Sequence, residues 1–155
     1  MSVQSGPCVA IDFETSGYAA HSACAVGLAR VLFTEIHGLT WPMLRDAPSF
    51  AQAWPEAGAI LCGAHFLLAH NASFDRRVLL ACCRAAGLPA PEAPFLCTLK
   101  GSRRSLPLPS KKLNLVCEYF GISLKHHNAA SDAQACAEVY LRLRGLGVTD
   151  AQMRL

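Results

Sequence analysis

Short apolar runs that end in polar turns alternate along this chain with longer stretches of helical period. Val9, Ala10 and Ile11 form a first strand-type run, and Asp12 and Glu14 follow it two positions apart. Residues i and i+2 of a strand share a face, so the spacing predicts two carboxylates side by side before Thr15-Ser16-Gly17 turns the chain. Cys24 to Leu32 is apolar and reads as a second strand; Trp41 to Pro48, with two prolines, reads as a loop. Ser49 then caps a helix whose Phe50, Ala53, Trp54, Ala57 and Leu61 recur at helical spacing, and Pro55 should kink it or delay its start.

His65 to Ala69 is a third strand and runs directly into His70-Asn71-Ala72-Ser73-Phe74-Asp75. Phe74, Val78, Cys82 and Ala85 keep helical period until Gly87, a stop signal just before Leu88-Pro89. This strand, turn and helix unit predicts parallel pairing with the first strand. Phe95 to Thr98 is a fourth, short strand, and Leu113 to Phe120 a short helix ending at Gly121. The segment from Lys125 to Asp132 opens a last helix, with Ala133, Cys136, Ala137, Tyr140 and Leu141 as its apolar stripe. Together these elements predict an α/β fold.

Composition narrows the class. With 155 residues the chain suits a single domain, 1–155, and 52% hydrophobic against 16% charged residues argues against disorder. Mean hydropathy is +0.27 and the net charge only +3, so overall charge says little about partners. The eight cysteines include no C-x-x-C pair, lie mostly in apolar stretches, and read as small buried hydrophobes of a reducing compartment. The N-terminus lacks a charged segment followed by an apolar one. The longest apolar candidate, Ala59 to Ala69, is too short to span a membrane and contains His65. The expectation is a cytoplasmic protein without a membrane partner.

Charge distribution carries more. Lys100, Arg103, Arg104, Lys111 and Lys112 fall within thirteen positions that contain no acid, and Pro107 and Pro109 make part of this stretch a loop. It is either a solvated basic loop or an edge that contacts phosphates. Asp12 and Glu14 at a strand end, Asp75 after a parallel strand and Asp132 at the last helix hold comparable places. Acids in a first helical turn are favoured by the helix dipole alone. Strand carboxyl ends are also where open α/β sheets build sites, and four converging carboxylates require hard cations between them. Oxygen donors without cysteine suit Mg²⁺ or Mn²⁺, whose chemistry in pairs is phosphodiester hydrolysis. His127, five residues before Asp132, has a side chain whose pKa of about 6.5 suits it to take a proton from water.

D-F-E-T-S-G, then H-N-A-S-F-D, then H-N-A-A-S-D-A resemble the three motifs of the DEDDh, or DnaQ-like, 3′-5′ exonucleases, the family that includes the proofreading epsilon subunit of bacterial DNA polymerase III and RNase T. The resemblance runs from Val9 to Leu143. It implies Asp12, Glu14, Asp75 and Asp132 as metal ligands for two divalent cations, Mg²⁺ or Mn²⁺, and His127 as general base. It further implies an RNase H-like fold, a mixed central β-sheet of five strands with helices on both faces. Ile36 to Thr40 is similar to the segment that lines the terminal-nucleotide pocket, which would put His37 and Leu39 on the last base, Phe13 and Thr15 beside the 3′ end, and Asn71 in charge of orienting the second motif. For Phe74 core packing is the expectation. A hairpin of about twenty residues that the family usually carries is incomplete here near residue 32, where Val31 is followed almost directly by Phe33. A bare second strand would expose a long apolar edge, which favours an omitted segment over a true loss.

The function these features imply is a metal-dependent 3′-5′ exonuclease that releases nucleoside 5′-monophosphates from single-stranded DNA, of the kind used in proofreading, replication and repair. An RNase T-like exoribonuclease is the alternative substrate reading, and a non-catalytic nucleic-acid-binding module of the same fold the alternative of another class. The stretch after the last helix stripe is too short for a polymerase-binding tail. The expectation is therefore a stand-alone or loosely associated nuclease, with polymerase association or a homodimer as alternatives.

Overall fold

The computed structural model describes residues 8–11, 46–125 and 128–155. The predicted second strand, the hairpin near residue 32 and the loop as far as residue 45 lie outside these residues; 46–48 are turn and irregular chain, as the loop reading expects.

A central strand organises what is described. Strand β2 (Phe66–Ala69) pairs in parallel with β1 (Cys8–Ala10) on one side and β3 (Phe95–Cys97) on the other. Register sets Ala10 against Leu68, and Leu68 against Leu96. The pairing of β1 continues one residue further, where Ile11 N donates to the Leu68 carbonyl at 2.7 Å. Leu67, Leu68 and Ala69 are completely buried, so β2 reads as an unbroken apolar run because both of its faces are covered.

The two faces have different covers. Leu67 and Ala69 point to the side of helix α2 (Ala72–Ala86), where they meet Leu79 and Cys83; helix α1 (Phe50–Leu61) packs outside α2. Leu68 and Leu96 point the other way, into a cluster built with α5 (Ala129–Gly145), α4 (Leu113–Phe120) and the short α6 (Asp150–Met153). Helix α3 (Thr98–Ser105) leaves β3 without an intervening loop and packs against α5 and α6. After α6, Arg154 forms an antiparallel bridge to Leu96 on the outer edge of β3.

Local chemistry explains the boundaries. Gly87 ends α2 and Gly121 ends α4, each at φ 67, a left-handed conformation that costs glycine little. In both cases the next residue donates back into the helix, Leu88 to the Cys83 carbonyl and Ile122 to the Cys117 carbonyl, closing the end. Helix α1 runs through Pro55, and Phe50, Trp54, Ala57 and Leu61 face inward as expected, while Ala53 is exposed.

Two expectations need correction. The fourth strand stops at Cys97, because Thr98 already begins α3. The basic stretch is, as expected, loop in part: it is helical from Lys100 as far as Ser105, and the proline-containing remainder before α4 is irregular. The buried stripe of α5 is Asp132, Ala135, Cys136, Val139, Tyr140 and Leu143, one residue earlier in phase than the stripe through Ala133 and Leu141. Leu141 is 66% exposed. This rotation follows from Val139 and Leu143 filling the cluster around Leu68, and it turns Asp132 inward with them.

Candidate active site

The parallel strands end together at Ile11, Ala69 and Cys97, and the helices that follow β2 and β3 begin at that edge. The step from β2 into α2 takes two residues. Asn71 makes it possible by adopting φ 74, ψ 43, the left-handed region that asparagine tolerates better than most residues, and its carbonyl accepts from Phe74 N at 2.8 Å. Asn71 thus orients the turn with its backbone; its side chain makes no capping hydrogen bond.

Asp75 lies in the first turn of α2 and is 2% exposed. Asp132 lies in the first turn of α5 and is 5% exposed. Asp132 N donates to the Asn128 carbonyl at 2.8 Å, and the Asn128 side chain accepts from Ser131 N, which fixes the start of α5. The helix dipoles favour negative charge at both places by up to about 1 kcal/mol. That does not offset the several kcal/mol that removing a carboxylate from water costs. The acids approach the strand-end edge from opposite faces of the sheet, since α2 covers one and α5 the other.

At the end of β2, within the electrostatic influence of Asp132, stands His70, which sequence reasoning did not single out. Its Nε2 is 2.7 Å from the carbonyl oxygen of Lys111, so Nε2 carries the proton and donates. Its Nδ1 is 2.9 Å from Thr98 Oγ1. Burial pushes the imidazole below its usual pKa of 6.5; the Lys111 carbonyl and the charge of Asp132 pull the other way, and Arg103 adds to the lowering. With the ring neutral, Nδ1 accepts from the Thr98 hydroxyl, and the Cys136 thiol, 3.4 Å from Thr98 Oγ1, is the donor to that oxygen. One directional chain of hydrogen bonds therefore joins α5, the first residue of α3, the end of β2 and the segment before α4.

Of the residues expected at the site, Asp12, Glu14, Phe13, Thr15, His37, Leu39 and His127 lie outside the described residues; Asp12 follows directly on Ile11. Phe74 is half-buried and packs with Phe50, Val78 and Cys82, in line with a core role. The basic residues separate into two groups. Lys100 and Arg103 line a cleft beside α2, whereas the Lys111 carbonyl holds His70 and its Nζ donates to the Leu108 carbonyl. Arg104 and Lys112 are exposed. Sequence reasoning also passed over Arg76 and Arg77, a pair visible directly after Asp75, and Arg154.

A family model described as Exonuclease matches residues 32–140, about 70% of the chain, a span that includes both described acids. The chain belongs to the exonuclease family. This exonuclease-family chain is 35% identical over 122 residues to the DNA polymerase III PolC-type protein of Thermotoga maritima, covering 75% of the chain and 9% of that relative. It is 36% identical over 111 residues to the same protein of Halalkalibacterium halodurans, covering 70% and 8%. It thus spans less than a tenth of the curated relatives it matches. Among solved structures, exonuclease X in complex with 5′ overhanging duplex DNA superposes with TM-score 0.68 at 22% identity, covering 95% of this chain and 97% of that one. The likeness shows that the exonuclease-family fold here is RNase H-like.

The donor chemistry of the exonuclease site can be tested against a cation. Among the described residues no group of three or more His, Cys, Asp or Glu side chains is disposed to hold a metal ion. Both ring nitrogens of His70 are occupied, and Cys136 is engaged with Thr98, so neither is a ligand. What remains among the described residues is carboxylate oxygen from Asp75 and Asp132, a donor type that suits Mg²⁺ or Mn²⁺.

Proposed function

We propose that the chain is a metal-dependent 3′-5′ exonuclease acting on single-stranded DNA. The observation that carries this reading is the pair of buried first-turn carboxylates, Asp75 and Asp132, brought to one strand-end edge from opposite faces of the sheet. Asp12 and Glu14 follow β1 in sequence, directly after Ile11, and would complete a four-carboxylate ligand set.

Two divalent cations held there would neutralise the acids and stabilise charge developing on the attacking and leaving oxygens. The chain's own residues do the rest. His127 takes the proton from the attacking water. Phe13, Thr15, His37 and Leu39 enclose the terminal nucleotide, and Asn71 sets the turn that aims Asp75. Basic residues between Lys100 and Lys112 contact backbone phosphates, which positions a strand without reading its sequence. His70 is not a base in this scheme, because its Nε2 proton and its Nδ1 lone pair are both committed.

DNA as the substrate is supported by relatives that are DNA polymerases and by a fold neighbour solved with duplex DNA. The same relatives support action beside a polymerase. The test uses a single strand labelled at either end. A 3′-end label should appear at once as nucleoside 5′-monophosphate, and a 5′-end label only after the strand has been consumed. EDTA should stop both, and Mn²⁺ should restore them. Release of the 5′ label first, or hydrolysis that persists in EDTA, would refute the reading.

A further inference from the structure

The outer flank of α2 carries two arginines, Arg76 and Arg77, to which the reading above gives no part. Arg76 and Arg77, exposed on α2, face Lys100 and Arg103 of α3 and Arg154 beyond α6 across a cleft of about 870 Å³. None of the residues lining it is acidic. Among the described residues these five side chains form no ion pair; Lys100 Nζ meets the neutral carbonyl of Arg154 at 2.5 Å, and Arg77 lies 5.7 Å from the centre of the Phe74 ring. With no acidic side chain among the described lining residues, the five positive side chains around this concavity repel one another, and a polyanion relieves that repulsion.

The cleft is separate from the reacting end. At about 100° per residue, Asp75 is turned about 160° around α2 from Arg77, so it looks into the sheet while the arginines look outward. The two regions meet at Asn71, which forms the strand-to-helix turn above Asp75 and also lines the cleft. A backbone leaving the strand-end edge over Asn71 enters the cleft directly.

From this we infer that the cleft of Arg76, Arg77, Lys100, Arg103 and Arg154 is a second nucleic-acid subsite, which takes phosphodiester groups away from the bond being cut. The identity of the polyanion rests on the nuclease reading above. The phosphates come either from the reacting strand, upstream of its end, or from a complementary strand.

The test compares the wild type with the double variant Arg76→Gln, Arg154→Gln, in which both altered side chains are exposed and make no side-chain hydrogen bond. Fluorescence anisotropy in EDTA gives Kd against KCl concentration for three DNAs, a strand of about three nucleotides, one of about twenty, and a duplex with a recessed 3′ end. Loss of two phosphate contacts should lower the salt slope by about 1.4 on a single strand. With Mn²⁺ present the KM should rise severalfold while kcat holds, and Arg76→Lys, which keeps the charge, should retain the slope. An effect on the twenty-nucleotide strand and not on the three-nucleotide one assigns the cleft to the reacting strand; an effect on the duplex alone assigns it to the complementary strand. An unchanged slope on both long DNAs, or an equal loss on the short one, overturns the subsite. Should the wild type release no nucleotide from any DNA, the nuclease reading fails instead, and the anisotropy still tests the cleft.

Discussion

His70 Nε2 donates to the carbonyl oxygen of Lys111 across 2.7 Å, tying the end of the central strand to a loop forty-one residues later in the chain. The bond matters because the loop has little else regular about it: Pro107 and Pro109 lack backbone donors, and α4 begins only at Leu113. Through Thr98 the same ring reaches Cys136, one turn beyond Asp132 on α5. A histidine that feels the charge of Asp132 thus works as a brace between elements.

Replacing it should be costly. His70→Ala leaves the Lys111 carbonyl and the Thr98 hydroxyl without their partner, and since Thr98 can turn to the Ala69 carbonyl at 3.5 Å, the expected loss is about 2 kcal/mol. Urea unfolding measures it. A loss below a few tenths of a kcal/mol would mean that the brace is idle.

The same ring sets a pH dependence. Its folded pKa is lowered, chiefly by burial, beneath the 6.5 of an unfolded chain. Between those values the unfolded state binds the extra proton, so stability rises with pH across that window and is lost as pH falls through it. Above pH 6.5 the contribution is constant. The difference in unfolding free energy between the wild type and His70→Ala should therefore shrink on acidification below that point. A difference that is flat from roughly pH 5 to 7.5 would contradict a neutral, buried ring.

Asp132→Asn separates chemistry from folding. Hydrolysis should fall by about 10²-fold or more if this acid holds a cation. If the four proposed acids meet as a ligand set, the variant without divalent ions should be at least as stable as the wild type, because one of the mutually repelling carboxylates is gone. Wild type at about 100 times the Kd for Mn²⁺ should gain roughly 2.7 kcal/mol, and the variant much less. Thermal melts with and without Mn²⁺ read this directly. An equal gain in both proteins would remove Asp132 from the ligand set.

How far these features could be read in advance depended on whether their causes were local. Gly87 and Gly121 announced the ends of α2 and α4, and the strand, turn and helix unit that begins at His65 announced a strand parallel to β1. Asp75 and Asp132 were legible as acids opening helices. The phase of α5 was not, because Val139 and Leu143 offer a stripe as apolar as Ala137 and Leu141, and only the position of Leu68 decides between them. Helix α3 has no side-chain cap to betray it, whereas α6 had a signal that went unused, Thr149 with Gln152 three residues on. The His70 brace joins positions 70, 98, 111 and 136, and no sequence window spans them.

Gly101 predicts a small loss with an instructive sign. Alanine in α3 should gain about 0.5–1 kcal/mol of helix propensity. A Cβ there would stand 2.9 Å from Met153 Sδ and 3.0 Å from Leu143 Cδ1. Met153 and Leu143 are both completely buried, so an overpacking cost of about 1–3 kcal/mol wins. Gly101→Ala should destabilise by about 1 kcal/mol. Combined with Met153→Ala, which makes room, its own cost should vanish, and additivity in the double-mutant cycle would rule out the contact.

Cysteine labelling checks the packing as a whole. Among the described residues Cys82, Cys83, Cys97, Cys117 and Cys136 are buried, and Cys62 is exposed. Burial pushes the Cys117 thiol up to about 11, with the charges of Asp132 and Glu138 adding to the effect, and burial raises Cys83 as well. Because the thiolate is the nucleophile, at pH 8 only about one Cys117 side chain in a thousand would be reactive even if reagent could reach it. Iodoacetamide followed by peptide mass mapping should modify Cys62 within minutes and the five buried thiols only at the rate of unfolding. Fast labelling of Cys136 in particular would show that α5 does not hold its inward face against β2, and Asp132 would lose its place at the strand ends with it.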